Sequence, residues 1–396
     1  MRRNTSITLL AVGHACVDIY QGSVAALIPF FVAERDYSYA VASALALAAS
    51  LLSSVAQPVF GALTDRWAMP WLLPVSTVLG GAGIALSGLS GSYGLTLVFV
   101  AISGLGVAAY HPESARVARL ASRGSHRAMS WFSLGGNVGF ALAPIMVSLA
   151  IGHGSLRWTP VLVLPALVGA ALCLPLLRGL PVLRALGRRR AGAATSAAAG
   201  TDDVASFVKL SLAVVFRSVV FVGLSTFLSL HAQQRMPGNP IAGTAALFLL
   251  FLGGAVGSVL GGYLAHRYDR VRVSRWSYLV SIAAVAGVVH VPGPALFGFV
   301  ALTSAGLYVP FSLQVTLGQD YLPSRVGTAS GVTLGLTVSM GGLISPLLGH
   351  LADATSLQTA LTPLIAMPAL SWLLFRDLPE PAVHRPRPAA PARRNA

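Results

Sequence analysis

Charge is what this sequence has least of. Charged side chains make up 10% of its 396 residues, where water-soluble domains carry about a quarter, so water is not the main solvent of this chain. Cysteine is nearly absent. Cys16 and Cys173 each stand alone in an apolar run, which excludes a disulfide framework and a thiolate metal site. The nine histidines are scattered without a His-Glu-x-x-His spacing, and no Gly-x-x-x-x-Gly-Lys-Ser/Thr phosphate loop occurs. ATP is therefore not the energy source within this polypeptide, and neither a metal nor another cofactor is expected.

What is present is apolar: 55% of residues are hydrophobic and the mean hydropathy is +0.73. A bilayer span needs about 20 largely apolar residues, and twelve such runs can be parsed, near Ile7 to Phe31, Tyr39 to Leu63, Trp71 to Ser87, Leu95 to Arg116, Ala128 to Ile151, Trp158 to Leu177, Phe207 to Gln233, Ala242 to Leu264, Val273 to Val291, Ala295 to Gln319, Gly327 to His350 and Leu357 to Phe375. Exposed strand edges would leave backbone groups without partners in lipid, so all twelve are expected to be helices.

The second six mirror the first. Gly61-Ala62-Leu63-Thr64-Asp65-Arg66 returns as Gly262-Tyr263-Leu264-Ala265-His266-Arg267, and Phe99 to Gly106 is answered by Phe299 to Gly306. The expectation is an all-α integral membrane protein of two pseudo-symmetric six-helix bundles, over 1–178 and 207–376, with a cytoplasmic linker over 179–206 and a disordered basic cytoplasmic tail over 377–396.

The net charge of +15 does not form a nucleic-acid-binding face, because the arginines follow topology. Arg2 and Arg3, then Arg119, Arg123 and Arg127, then Arg184 to Arg190, then Arg267 to Arg275, then Arg385 to Arg394 fall on one side; only Arg35, Arg157 and Arg235 fall in the alternating loops. That places both termini in the cytoplasm of a cell inner membrane. The basic runs read as solvated topogenic loops that can also touch anionic lipid. The run after Arg2-Arg3 is too long and too polar for a cleaved signal.

Polar side chains stranded at membrane depth carry the functional reading, since each costs a few kcal/mol or more without a partner or an aqueous cavity. His14, Asp18 and Gln21 share one face of the first helix at i, i+4 and i+7, with Tyr20 on a neighbouring face. Asp18, near the midplane, is the first candidate for proton coupling, with His14 as relay, substrate contact or simple partner. Arg217, at similar depth in the seventh helix, needs an anion: Asp18, a bound substrate, or a permanent structural partner. His111-Pro112-Glu113 with Arg116 forms a second constellation, where Pro112 weakens the fourth helix and Glu113 can pair with Arg116. Gly135-Gly136-Asn137-Val138-Gly139 and Gly253, Gly257 and Gly261 read as close helix contacts, with the Asn137 amide the one member able to face a cavity.

Together with the two-fold arrangement, Gly61-x-x-x-Asp65-Arg66 resembles the loop motif of the major facilitator superfamily. More narrowly, Gly13-His14, Asp18-Ile19-Tyr20-Gln21-Gly22, Pro70-Trp71-Leu72-Leu73-Pro74, His111-Pro112-Glu113, Gly135-Gly136-Asn137 and Leu322-Pro323-Ser324-Arg325-Val326-Gly327 resemble the fosmidomycin-resistance family of drug efflux proteins. The resemblance implies proton-driven antiport of a small drug-like or anionic molecule, such as a phosphonate antibiotic. It implies alternating access by a monomer, through a cavity lined by helices one, four, seven and ten. On that reading Asp18, His14 and Glu113 carry protons. Tyr20, Gln21, His111, Asn137 and Arg217 bind substrate, and Gly61, Asp65, Arg66, Pro112, Arg116, His266 and Arg267 govern gating.

Three departures stand against the pattern: Trp67-Ala68-Met69-Pro70 replaces the motif's Gly and basic pair, no arginine occurs around Val100 in the fourth helix, and His266 stands where the repeat's acid would be. Import of a metabolite on the same fold, and an intramembrane enzyme, are the rival readings. The enzyme would need converging nucleophile, base or metal ligands that the spacing does not supply.

Overall fold

Every apolar run forms a helix. The protein is described here by a computed structural model over residues 3–67, 69–122, 125–152, 154–188 and 201–381. The N-terminal half comprises α1 (Arg3–Arg35), α2 (Tyr39–Arg66), α3 (Leu72–Ser87), α4 (Tyr93–Ser122), α5 (His126–Ile151) and α6 (Leu164–Arg188). The C-terminal half comprises α7 (Val204–Arg235), α8 (Ala242–Ala265), α9 (Arg270–His290), α10 (Ala295–Tyr321), α11 (Val326–Ala354), α12 (Leu357–Leu361) and α13 (Ala366–Arg376). Ten of the described stretches are long and apolar enough to cross a membrane. The 16-residue α3 and the 29-residue α11 complete the twelve expected.

The sixth and twelfth spans differ from the uniform helices expected. Each begins as a 3-10 helix or passes through one, at Leu156–Val163 and Thr362–Ile365. Pro160 and Pro363 lie in those stretches and withdraw backbone donors that a regular helix needs. Each span is capped at its start by a serine side chain: Ser155 accepts from Arg157 N and Ser356 from Thr359 N. The same irregularity at the same place in both halves is a structural trace of the repeat.

Defined structure reaches into both ends of the linker segment. α6 continues to Arg188 in spite of Gly179 and Pro181, with Leu183, Arg184, Ala185 and Leu186 good helix formers; residues 189–200 lie outside the described residues. At the other end Asp203 caps α7 by accepting from Ser206 N, and Asp202 accepts from both the amide and the hydroxyl of Ser324. Those bonds hold the Asp202 carboxyl below its usual range, and the Ser206 amide does the same for Asp203. Residues 377–381 are likewise held: Leu378 is buried, Tyr321 donates to the Pro379 carbonyl at 2.7 Å, and Arg270 bridges Asp320 at 2.7 Å and Glu380 at 2.8 Å. Residues 382–396 lie outside the description.

Small residues set the helix spacing. A Cβ at Gly139 would lie 2.6 Å from Ala15 Cα, and one at Gly257 3.0 Å from Ala305 Cα, so α5 rests on α1 and α8 on α10 as backbone against backbone. Gly61, expected at a close crossing, is different: among the described residues an added Cβ there would meet nothing within 4 Å. Cross-bundle packing runs from mid-depth toward the face opposite the termini. There Phe140 and Phe251 rings lie 4.3 Å apart, Tyr39 packs on Phe227, and Gln234 donates to the Tyr39 hydroxyl at 3.2 Å.

Candidate functional site

The i, i+4 spacing of α1 brings His14 Nε2 to 3.3 Å from Asp18 Oδ2. From α4, His111 Nε2 reaches Asp18 Oδ1 at 3.1 Å, so two helices supply one His–Asp–His cluster. Their three functional atoms lie within 4.8 Å of one another, close enough to share a small cation; by spacing alone a metal ion also fits.

The remaining ring nitrogens decide which protons the cluster can hold. His14 Nδ1 faces the Phe132 carbonyl at 3.0 Å, and His111 Nδ1 faces the Val107 carbonyl at 2.7 Å. A carbonyl only accepts, so each Nδ1 carries a hydrogen and each neutral imidazole presents an Nε2 lone pair to the carboxylate. Lone pair then faces lone pair, and each contact becomes a hydrogen bond only when a proton enters it. The cluster thus has places for up to two transferable protons. Without them it is a set of acceptors, and neither His14 Nε2 nor Asp18 Oδ1 has an aligned hydrogen bond.

Packing fixes this geometry. The His14 ring stacks on Phe132 at 4.4 Å and meets His111 edge-on at 5.3 Å. Gly136 of α5 leaves the necessary space, since a Cβ there would come 2.8 Å from His14 Nε2. Asp18 forms part of the wall of a cavity of about 250 Å³ between the two halves. Gln21, Ser50, Asn137, Phe221, Tyr308 and Phe311 line other parts of it. The cavity draws on α1, α4, α7 and α10 as expected, and also on α2, α5 and α8.

Other expected residues are distributed unevenly. Gln21 and Asn137 reach the cavity. Tyr20 touches it only with its ring, for the residue is fully buried and its hydroxyl donates to the Leu162 carbonyl at 3.0 Å, an anchor between α1 and the sixth span. Glu113 is fully buried and bound through both oxygens to Arg116, with Arg116 Nε at 2.8 Å, so its carboxylate serves the ion pair within α4. Pro112 sits inside an uninterrupted α4, matched by Pro310 inside α10. Arg217 is 2% exposed and lies over the Phe311 ring at 5.1 Å, while Asp18 is engaged by the two histidines of its own half. Phe311 thus stands between a buried guanidinium and the cavity.

Of the expected gating residues, Arg66, His266 and Arg267 are exposed, with Arg267 over the Tyr263 ring at 5.2 Å. The Asp65 side chain lies outside the described residues. Sequence reasoning missed Phe311, Tyr308 and the Gln314–Tyr278 pair, where the amide donates to the hydroxyl at 2.5 Å. It also missed Glu34, which accepts from Leu156 N with both oxygens at 3.0 Å, and Asp353. Aromatics in an apolar run carry no signal of which face they take, and acids beside a turn read as solvated.

The sequence profile of the Major Facilitator Superfamily matches residues 10–346. The chain is 29% identical over 376 residues to the fosmidomycin resistance protein of Escherichia coli (strain K12), covering 92% of this chain and 90% of that protein. It is 29% identical to the MFS-type transporter YfnC of Bacillus subtilis (strain 168), covering 93% and 91%. Among solved structures, the nucleoside transporter NupG superposes with a TM-score of 0.74 at 15% identity, over 95% of this chain and 99% of that one.

Proposed function

This chain belongs to the Major Facilitator Superfamily, and on that premise we propose that it is a proton-coupled exporter of a small drug-like or anionic molecule, working by alternating access. The E. coli relative's name, fosmidomycin resistance protein, supports a phosphonate antibiotic as the first substrate to try. A transporter, not an enzyme, is what the family and the structural likeness support.

The observation that carries the reading is the convergence of two imidazole Nε2 atoms on one carboxylate at the cavity wall. Stripped of transferable protons, the cluster is acceptor-only and binds an N–H or O–H group of a substrate. Loaded with protons, both Nε2 lone pairs and one site on each carboxylate oxygen are taken and the carboxylate charge is offset, so the cluster accepts more weakly and the substrate leaves. Protons and substrate therefore exclude one another, which is what antiport requires. The permanent charge of Arg217 behind Phe311 favours an anionic group on the C-terminal side of the same cavity.

We place both termini in the cytoplasm of the inner membrane, on the arginine distribution, with the protein acting as a monomer among anionic lipids. One charge entering down a potential of 100 mV supplies about 2.3 kcal/mol. That sustains a substrate gradient of roughly fiftyfold. Transport in proteoliposomes with an imposed pH gradient, for fosmidomycin and for cationic dyes, tests the assignment. Uptake indifferent to the gradient argues for a facilitator, and accumulation in the direction of proton flow argues for an importer.

A further inference from the structure

The first turn of α2 has three backbone donors without partners in its own helix, and two are satisfied from the other half of the molecule. Asp353, near the end of α11, accepts from Tyr39 N at 2.7 Å and from Ala40 N at 2.9 Å. Ser38 takes the third, accepting from Val41 N at 3.3 Å. A carboxylate here also meets the positive end of the α2 dipole. The surrounding surfaces are shaped for this contact: a Cβ on Gly349 would lie 2.7 Å from Ala40 Cα and from Ser43 Oγ, and Gly342, two turns earlier on the same face, abuts Ser50.

The sequence repeats the device in reverse. α2 ends with Gly61-Ala62-Leu63-Thr64-Asp65, and α11 ends with Gly349-His350-Leu351-Ala352-Asp353, a shared Gly-x-Leu-x-Asp at the C-terminal ends of two helices that run antiparallel beside each other. One acid sits at the terminal face and the other at the opposite face. At Gly349 an added Cβ would meet the backbone of α2. The α2–α11 seam is packed at the Asp353 face, while among the described residues nothing comes within 4 Å of a Cβ at Gly61.

We infer that Asp353 is a gating residue: it latches α11 to the N-terminus of α2 and holds the face opposite the termini closed, and the contact must break for that face to open. The inference rests on the alternating-access reading above, and it assigns to one residue the closure of the external side.

The test is conformational and independent of substrate. In a Cys16→Ala, Cys173→Ala background, spin labels at Gly91→Cys and Ala295→Cys report the separation of the two halves at the face opposite the termini, in detergent and in nanodiscs. Asp353→Ala raises the wide-separation population about threefold to tenfold, as expected for losing two exposed charge-assisted hydrogen bonds. Ala40→Pro, which deletes one donor in the first turn of α2, where no intrahelical bond is lost, shifts it in the same direction. Unchanged distances in both Asp353→Ala and Ala40→Pro, with either variant monodisperse, overturn the latch. Shifts in these variants together with a wild type that lacks pH-driven transport refute the proton-coupled reading and leave the latch standing.

Discussion

His111 Nε2 on α4 stands 3.1 Å from Asp18 Oδ1 on α1, an acid–base contact between two helices at the edge of the central cavity. Because Val107 and Phe132 carbonyls hold the Nδ1 hydrogens of His111 and His14, the only variable protons in this group lie between the imidazoles and the carboxylate. Protonation and cavity chemistry are thereby coupled through the same atoms.

If the three residues act as a unit, single substitutions are as damaging as combined ones. His14→Ala and His111→Ala are each expected to reduce proton-driven transport about tenfold, roughly 1.4 kcal/mol, and the double variant little further. Initial rates in proteoliposomes under a fixed pH gradient give the cycle. Multiplicative losses indicate two independent roles.

Arg217 is expected to discriminate by charge. Arg217→Ala lowers transport of a phosphonate about tenfold or more while leaving that of a cationic dye undiminished or raised, because a lost cation removes an attraction for one and a repulsion for the other. Phe311→Ala, which uncovers the guanidinium, strengthens binding of the anion. Competition binding with both ligands on the purified protein reads the two effects, and an equal loss for both ligands with Arg217→Ala assigns it a packing role.

The helix contacts predict opposite outcomes for two glycines. Gly139→Ala forces a methyl group against the α1 backbone at Ala15 and costs about 1–3 kcal/mol, visible as a lower melting temperature in detergent. Gly61→Ala adds a methyl group where no described residue lies within 4 Å and leaves melting unchanged or raised, since alanine is the better helix former, though the closed state of the other half-cycle must then accommodate it. Thermal unfolding of the purified variants separates the two.

At the linker's end, Asp202 should confer a pH dependence outside the membrane. Its carboxyl is held below the usual range by the Ser324 hydrogen bonds, so the attachment is complete above the ordinary carboxylate pKa of about 4 and weakens as pH falls through the depressed value. Hydrogen exchange at the Ser324 amide, followed from pH 7 down to about pH 3, should accelerate in the wild type beyond the intrinsic trend. Asp202→Asn should remove that excess.

The spans and their duplication were readable because lipid permits few backbone solutions, and hydropathy reports them directly. The pairing of His14 with Asp18 was readable too, since both lie on one helix at a fixed spacing. His111 could be singled out but not joined to Asp18, because the contact depends on how α4 packs on α1. Arg217 showed its depth but not its cover, and Phe311 was one more aromatic in an apolar run. Asp353 carries no signal in the sequence, for its partners are backbone amides some 300 residues away, which no side-chain pattern announces.

The most direct test of the account is proton-driven transport by Asp18→Asn in proteoliposomes. The substitution keeps the shape of the side chain but removes the carboxylate that both imidazoles address. The account predicts that accumulation driven by the pH gradient disappears while downhill substrate movement persists. Accumulation at the wild-type level, with unchanged response to external pH, contradicts it.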